Sequence, residues 1–162
     1  MAGVHEPSLG PEPGWTPVEP FRPLEPPAFV SGDRAGDRLR VRYFRRGDGS
    51  LAAKAWFGPG AEGPPGHAHG GSIAAVLDEA MGAVAFLHRG PVLASQITVR
   101  FLLPVPLGPV FPVEARVTRD MGRVLEVTSA LLGPGREPLA TADGVFAEVG
   151  PEQMRKLLGG AG

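Results

Sequence analysis

The residues best suited to chemistry lie together in the middle of the chain. Residues 67–72 read His-Ala-His-Gly-Gly-Ser, and an apolar run over residues 73–87 follows directly. The only charged residues in that run are Asp78 and Glu79. An ionised carboxylate in apolar surroundings is costly unless it has a partner, water or a bound polar group. Asp78 is therefore expected to be either paired or used in binding or catalysis.

Three alternatives fit these residues less well. His67, His69 and Asp78 are ligand types for zinc or iron, but two loop histidines without a clear third ligand more often serve as hydrogen-bonding residues. Ser72 follows two glycines, yet the chain has no Gly-x-Ser-x-Gly nucleophile elbow, so helix capping or packing is expected for it. The two acids could mark a solvated stripe, but the run contains no Lys, Arg or Gln to line one. Cysteine is absent, which excludes thiol nucleophiles, thiolate metal sites and disulfides.

Residues 73–87 are predicted to form an α-helix, because they contain no proline and no cluster of β-branched residues. A helix that is apolar on nearly every side is a buried helix. On a helical wheel one side around Asp78 carries mostly small residues, so we expect it to admit a close neighbour while the bulky side fills a core. The small-side residues are Gly71, Ala74, Ala75, Met81, Gly82 and Ala85. Glu79 lies about 100° further round the helix and is expected to be the exposed acid.

Composition and charge exclude several classes of partner. The chain has 162 residues and a formal net charge of −1, so it has no positive field to attract nucleic acid or an anionic membrane. The first ten residues lack the basic start and apolar core of a secretory signal, and no apolar run is expected to reach membrane-spanning length. We therefore expect a cytoplasmic protein. The lack of Asn and Cys with 19 prolines is typical of a thermophile, although a GC-rich genome also produces an Arg and Pro bias.

Prolines and changes in periodicity divide the chain into three parts. Residues 1–35 form a Pro-rich N-terminal arm, whose prolines are expected to exclude regular helix and sheet. The aromatic residues in the arm favour docking on the domain over a mobile tail. Residues 36–150 form the domain, and residues 151–162 form a C-terminal tail with a short helix predicted over 153–158.

Alternation of polar and apolar residues predicts strands on both sides of the helix. Two strands precede it and four follow it, at 38–43, 51–57, 92–103, 110–119, 123–132 and 139–149. Strands grouped with short turns form an antiparallel sheet, and one helix cannot cover both of its faces. We therefore predict an α+β fold, in which a curved antiparallel sheet of five to six strands wraps around one long central helix. The uncovered surface is expected to meet another subunit.

Several motifs in this order resemble the hotdog-fold acyl-CoA thioesterases, most closely the PaaI-like branch of the 4HBT superfamily. The most specific is His-Gly-Gly at residues 69–71 with Asp78 nine residues after the histidine. The resemblance covers residues 38–149. It includes the segments 62–71, 77–82, 99–101, 104–108, 122–123 and 140–146.

The resemblance implies a hotdog fold, with the helix inside the curled sheet, and a homodimer often paired into a dimer of dimers. It also implies an active site at the dimer interface, an acyl-CoA substrate, and neither metal nor cofactor. Asp78 would be the catalytic carboxylate, acting as nucleophile or general base on the thioester. The Gly70 backbone N–H would polarise the thioester carbonyl, and His69 would shape the same loop. A helix N-terminus suits this role of Gly70, because it supplies free N–H groups and the positive end of the helix dipole.

Five further residues are expected to line the substrate site. Gly71 lets the thioester approach the backbone closely, because glycine has no side chain. Arg123 is a candidate partner for a CoA phosphate. The remaining three are His67, Glu79 and Ser95.

The chain departs from the family pattern at three places. Ala94 stands where related enzymes often place Ser or Thr, no Asn precedes the His-Gly-Gly motif, and Leu102 and Leu103 stand where basic residues are common. Ala94 favours the main alternative, which is a non-hydrolytic acyl-CoA-binding or regulatory hotdog protein. Other enzymes such as dehydratases share the fold, so the fold alone does not separate these functions.

Overall fold

A long helix and an antiparallel sheet make up most of the structure. The computed structural model describes residues 7–21 and 27–159. Along the described chain the elements are β1 Thr16–Val18, β2 Leu39–Arg45, β3 Leu51–Phe57, a 3-10 turn Pro59–Ala61, α1 Gly70–Arg89, β4 Val92–Phe101, β5 Val110–Asp120, β6 Val124–Leu132, β7 Pro138–Glu148 and α2 Pro151–Gly159. The strands pair antiparallel in the order β1-β2-β3-β5-β6-β7-β4. The predicted α+β hotdog fold is confirmed.

Helix α1 packs into the sheet and contacts β3, β4, β5, β6 and β7. Its bulky residues Ile73, Val76 and Leu77 are buried in the core, as the helical pattern predicts. By length and composition α1 also resembles a membrane span, contrary to the expectation that no apolar run is long enough. A core helix passes the same test, and burial of these residues against the sheet identifies α1 as one.

Helix α1 approaches β7 closely because Gly144 has no side chain. A Cβ atom on Gly144 would lie 2.8 Å from Phe146 Cε2 and 3.1 Å from Met81 Sδ. Ser129 Oγ of β6 donates a hydrogen bond to the Leu77 carbonyl at 3.1 Å. Glycine at this crossing therefore sets the distance between the helix and the sheet.

The Pro-rich arm contains regular structure, so the expectation that its prolines exclude sheet is wrong. Strand β1 pairs with β2, with Thr16 opposite Arg45 and Val18 opposite Tyr43. Proline lacks an N–H group, and an edge strand tolerates Pro17 because only one of its sides takes part in pairing. This added strand brings the sheet in the described residues to seven strands, above the predicted five to six.

The arm contacts both the sheet and the helix. The Trp15 ring lies 5.6 Å from the Phe44 ring of β2, and the Phe21 ring lies 6.1 Å from the Phe86 ring of α1. Part of the arm, residues 1–6 and 22–26, lies outside the described residues. At the other end of the chain, helix α2 spans Pro151–Gly159, around the helix that the sequence predicts over 153–158.

Candidate active site

The start of helix α1 leaves one backbone donor free. His69 is the N-cap residue, and its Nδ1 accepts a hydrogen bond from the Gly71 N–H at 2.9 Å. The His69 carbonyl accepts from the N–H groups of Ser72 and Ile73, at 2.9 and 3.2 Å. Within the described residues the Gly70 N–H has no acceptor. Gly70 therefore offers a free N–H at the positive end of the helix dipole.

The capping contact also defines what His69 and Gly71 do. Because His69 Nδ1 accepts, the neutral ring carries its proton on Nε2. The N–H of Gly71 is occupied by this contact, so Gly71 contributes space rather than a donor. Ser72 Oγ donates to the His69 carbonyl at 2.7 Å, in agreement with the capping or packing role predicted for it.

A tight loop holds His69 in place. The His69 N–H donates to the Ala61 carbonyl, and the Ala68 N–H donates to the Val105 carbonyl, both at 2.8 Å. A Cβ atom on Gly63 would lie 2.7 Å from the His69 Cα, so only glycine fits beside the cap. The sequence analysis gives Gly63 no role. A glycine in the loop before a predicted helix is the signal that could have pointed to this close contact.

An apolar cavity of about 420 Å³ opens beside Gly70. Its lining residues are Pro64, His67, Ala68, Gly70, Ile73 and the segment 101–105. Phe101 of β4 is 57% exposed at its rim. The structure therefore brings His67 and Gly70 to one cavity. A larger cavity of about 640 Å³ lies between the arm and β2, and none of the sequence-predicted site residues lines it.

Asp78 is half-buried on α1 and has no hydrogen-bonding partner among the described residues. Burial, and then the negative charge of Glu79, raise the pKa of the Asp78 carboxyl above its ordinary value. A carboxylate with a raised pKa is a stronger base and nucleophile than one exposed to water. In the described parts of the chain, no group of three His, Cys, Asp or Glu side chains could hold a metal ion, so Asp78, His67 and His69 do not form such a group.

Glu79 is bound by other residues, so the expectation that it is the exposed acid is wrong. It accepts hydrogen bonds from the Val30 N–H at 2.9 Å, the Ser31 N–H at 3.1 Å and the Tyr43 hydroxyl at 3.1 Å. The arm and β2 supply these donors, so the partly buried carboxylate is hydrogen-bonded within the protein. No pattern within the helix itself could show this, since the donors come from distant segments of the chain.

The structure does not place Ser95 and Arg123 beside the cavity at Gly70. Ser95 lies at a β-bulge in β4, and its Oγ donates to the Val145 carbonyl at 3.1 Å. Arg123 is exposed in the turn after β5, next to Asp120. Asp120 accepts from His88 at the C-terminal end of α1 at 2.9 Å, so Arg123 lies near the end of the helix that is about 30 Å from Gly70.

Strand β4 forms the long free edge of the sheet. It pairs with β7 on one side, and its other side has no partner strand in the described chain. Several of its apolar side chains are exposed, including Leu93 at 53% and Ile97 at 39%. Exposed apolar edge strands are rare in monomers, because they invite pairing with another chain.

Comparisons with known proteins point to one family. Residues 65–131 match the family described as "Thioesterase superfamily". The chain is 42% identical over 66 residues to an acyl-coenzyme A thioesterase THEM4 of Xenopus laevis, a match that spans 41% of this chain and 30% of that protein. It therefore spans less than a third of that relative.

Solved structures share the fold. The Escherichia coli PaaI protein from a phenylacetic acid degradation operon has a TM-score of 0.61 at 16% identity, covering 69% of this chain and 80% of that one. A Streptococcus mutans protein solved bound to acetyl CoA has a TM-score of 0.62 at 18% identity, covering 76% of this chain and 98% of that one. At such identities the likeness establishes the fold alone.

Proposed function

Because residues 65–131 match the thioesterase superfamily, we propose that this chain belongs to that superfamily and hydrolyses an acyl-CoA thioester to a free acid and CoA. In this reaction oxygen adds to the thioester carbonyl carbon and the C–S bond breaks. CoA leaves as a thiolate that takes up a proton. Asp78 acts either as the nucleophile, through an anhydride that water then hydrolyses, or as the general base that activates water.

The proposal depends on one observation about α1. Among the described residues, the Gly70 N–H has no acceptor and the half-buried Asp78 carboxylate has no hydrogen-bonding partner. Negative charge develops on the carbonyl oxygen as the thioester is attacked. A fixed N–H at a helix N-terminus stabilises that charge without reorganising. The raised pKa of the Asp78 carboxyl suits its role as base or nucleophile at neutral pH.

A single chain does not bring these two groups to one carbonyl. Asp78 follows Gly70 by eight residues, which is about 12 Å along the helix axis. A donor and a nucleophile that act on one carbonyl group lie within about 6 Å of each other. We therefore assign the Gly70 N–H and the Asp78 carboxylate of one site to two different protomers of a homodimer.

The free edge of β4 supports this assembly. Its exposed apolar side chains, with Phe101 at the rim of the Gly70 cavity, would be covered by a second copy. An isologous contact of this kind produces two equal sites per dimer. Such dimers would pair further into the dimer of dimers that the resemblance implies.

The test uses a variant that removes the Gly70 N–H and a control that keeps it. Gly70 is the first residue of α1, where proline is tolerated, and His69 already has an extended backbone with ψ 139°, as a residue before proline requires. Gly70→Pro is expected to lower kcat about 10²- to 10³-fold. Gly70→Ala keeps the N–H and places a Cβ 3.4 Å from the Phe101 ring, an ordinary contact, so it is the matched control.

Mixed dimers then show which chain supplies each group. Asp78→Ala and Gly70→Pro homodimers are each expected to release almost no CoA in a thiol-trapping assay. Co-expression of the two variants restores one complete site per heterodimer if the groups come from different protomers, and restores none if they come from the same one. Binding of acyl-CoA by the wild-type chain without any hydrolysis, over a panel of acyl lengths, would instead establish a non-hydrolytic acyl-CoA-binding protein.

A further inference from the structure

Glu79 connects the N-terminal arm to the helix that carries Asp78. Its carboxylate binds the backbone N–H groups of Val30 and Ser31 in the arm. It also binds the hydroxyl of Tyr43 on β2, which is 3% exposed. Hydrogen bonds to a carboxylate are about twice as strong as those between neutral groups, so this contact is a firm attachment point.

The arm touches the helix again at Phe86. Glu79 and Phe86 are seven residues apart, so they lie about 10 Å apart along the axis and only about 20° apart around it. The Phe21 ring packs on Phe86 at 6.1 Å. The contacts at Glu79 and Phe86 therefore hold the arm along one side of α1, next to the side that carries Asp78.

Glu79 also places a negative charge next to Asp78. It is the next residue on the helix, and its negative charge is a cause of the raised pKa of the Asp78 carboxyl, second to burial. On β2 the Tyr43 hydroxyl faces both acids. Its pKa is raised first by burial, and then by the negative charges of Glu79 and Asp78. Among the described residues no cation lowers the pKa of Asp78.

We propose that Glu79 is a positioning residue for the hydrolysis, which locks the N-terminal arm and Tyr43 onto α1 and holds a negative charge beside Asp78. The inference rests on the proposed function of Asp78. It gives the Pro-rich arm a role in the reaction, since the arm supplies the donors that keep Glu79 oriented.

Two substitutions separate the two effects of Glu79. Glu79→Gln keeps an oxygen that accepts from the arm N–H groups but removes the charge. Removing a negative charge lowers the pKa of Asp78, so the acid limb of the kcat/KM profile is expected to move to lower pH. Glu79→Ala removes the attachment as well, and kcat/KM is expected to fall about tenfold or more, because a small misplacement near the reacting groups is costly. Glu152→Gln, on the exposed helix α2, is the matched control for loss of one charge.

Hydrogen exchange reports the attachment independently of activity. The amides of Val30 and Ser31 are expected to be protected in the wild type and in Glu79→Gln, and to lose protection in Glu79→Ala. An acid limb that is unchanged in Glu79→Gln would overturn the inference. So would full activity in Glu79→Ala after these amides lose protection. If the wild type hydrolyses no acyl-CoA, the proposed function fails instead, and the exchange data still test the attachment of the arm.

Discussion

Replacing His69 with alanine tests the cap on which the free Gly70 donor depends. The substitution removes the Nδ1 acceptor of the Gly71 N–H and keeps the backbone bonds from Ser72 and Ile73 to the His69 carbonyl. The first turn of α1 then loses one of its satisfied donors next to Gly70. We expect both stability and activity to fall, because the same contact caps the helix and fixes the peptide that follows Gly70.

The size of the effect follows from the exposure of the site. Loss of an N-cap side chain costs about 0.5–2 kcal/mol. His69 is exposed, so water reaches the freed Gly71 N–H, and we expect about 1 kcal/mol rather than the upper value. For a chain of this length, that corresponds to a decrease in Tm of about 2–4 °C. The accompanying loss of kcat/KM is expected to be about tenfold, or about 1.4 kcal/mol of transition-state stabilisation.

Thermal unfolding followed by circular dichroism and steady-state hydrolysis of an acyl-CoA measure the two effects. His69→Asn is the matched control, since asparagine is among the best N-cap residues and its side-chain oxygen replaces Nδ1 as acceptor. It is expected to restore the free energy of unfolding to within about 0.5 kcal/mol of the wild type. A His69→Ala variant with unchanged Tm, or a His69→Asn variant as unstable as His69→Ala, would refute the capping argument.

Two further substitutions test the helix and its packing. The pKa of Asp78 is raised in the folded state, so ionisation of its carboxyl destabilises the fold. This destabilisation is absent below the ordinary carboxyl pKa and is complete above the raised, folded-state pKa. Asp78→Asn is therefore expected to abolish turnover. It is also expected to be more stable than the wild type at neutral pH, and this difference in stability should shrink in acid. Equal urea midpoints for the two proteins at neutral pH would contradict this. Gly144→Ala places a Cβ 2.8 Å from Phe146 and is expected to lower the free energy of unfolding by about 1–3 kcal/mol. Gly82→Ala is the control, because its Cβ lies 3.6 Å from the same ring, and it is expected to be neutral or stabilising. Equal Tm values for these two alanine variants would argue against close packing at Gly144.

Local patterns predicted the elements well. The unbroken apolar run over residues 73–87 indicated α1, and alternation indicated strands at nearly the observed positions, such as Leu51–Phe57. Such patterns reflect burial and backbone geometry within a few residues, which any single segment contains. The arm was less predictable, because Pro17 is compatible with a strand only at a sheet edge, and which strand lies at the edge is a property of the whole sheet.

By itself the sequence determined that Asp78 lies on an apolar helix and that glycines follow His69 at its start, because helical spacing and residue type suffice for both. Only the tertiary structure decided which acid is free and which is bound. Adjacent carboxylates look alike in a sequence, but Glu79 meets donors from residues 30, 31 and 43, whereas Asp78 meets none in the described chain. The same holds for Gly70, whose N–H is free because no acceptor in the described chain reaches it. Hydrogen-bonding partners brought together from distant segments decide such questions, and their identity depends on the packing of the whole fold.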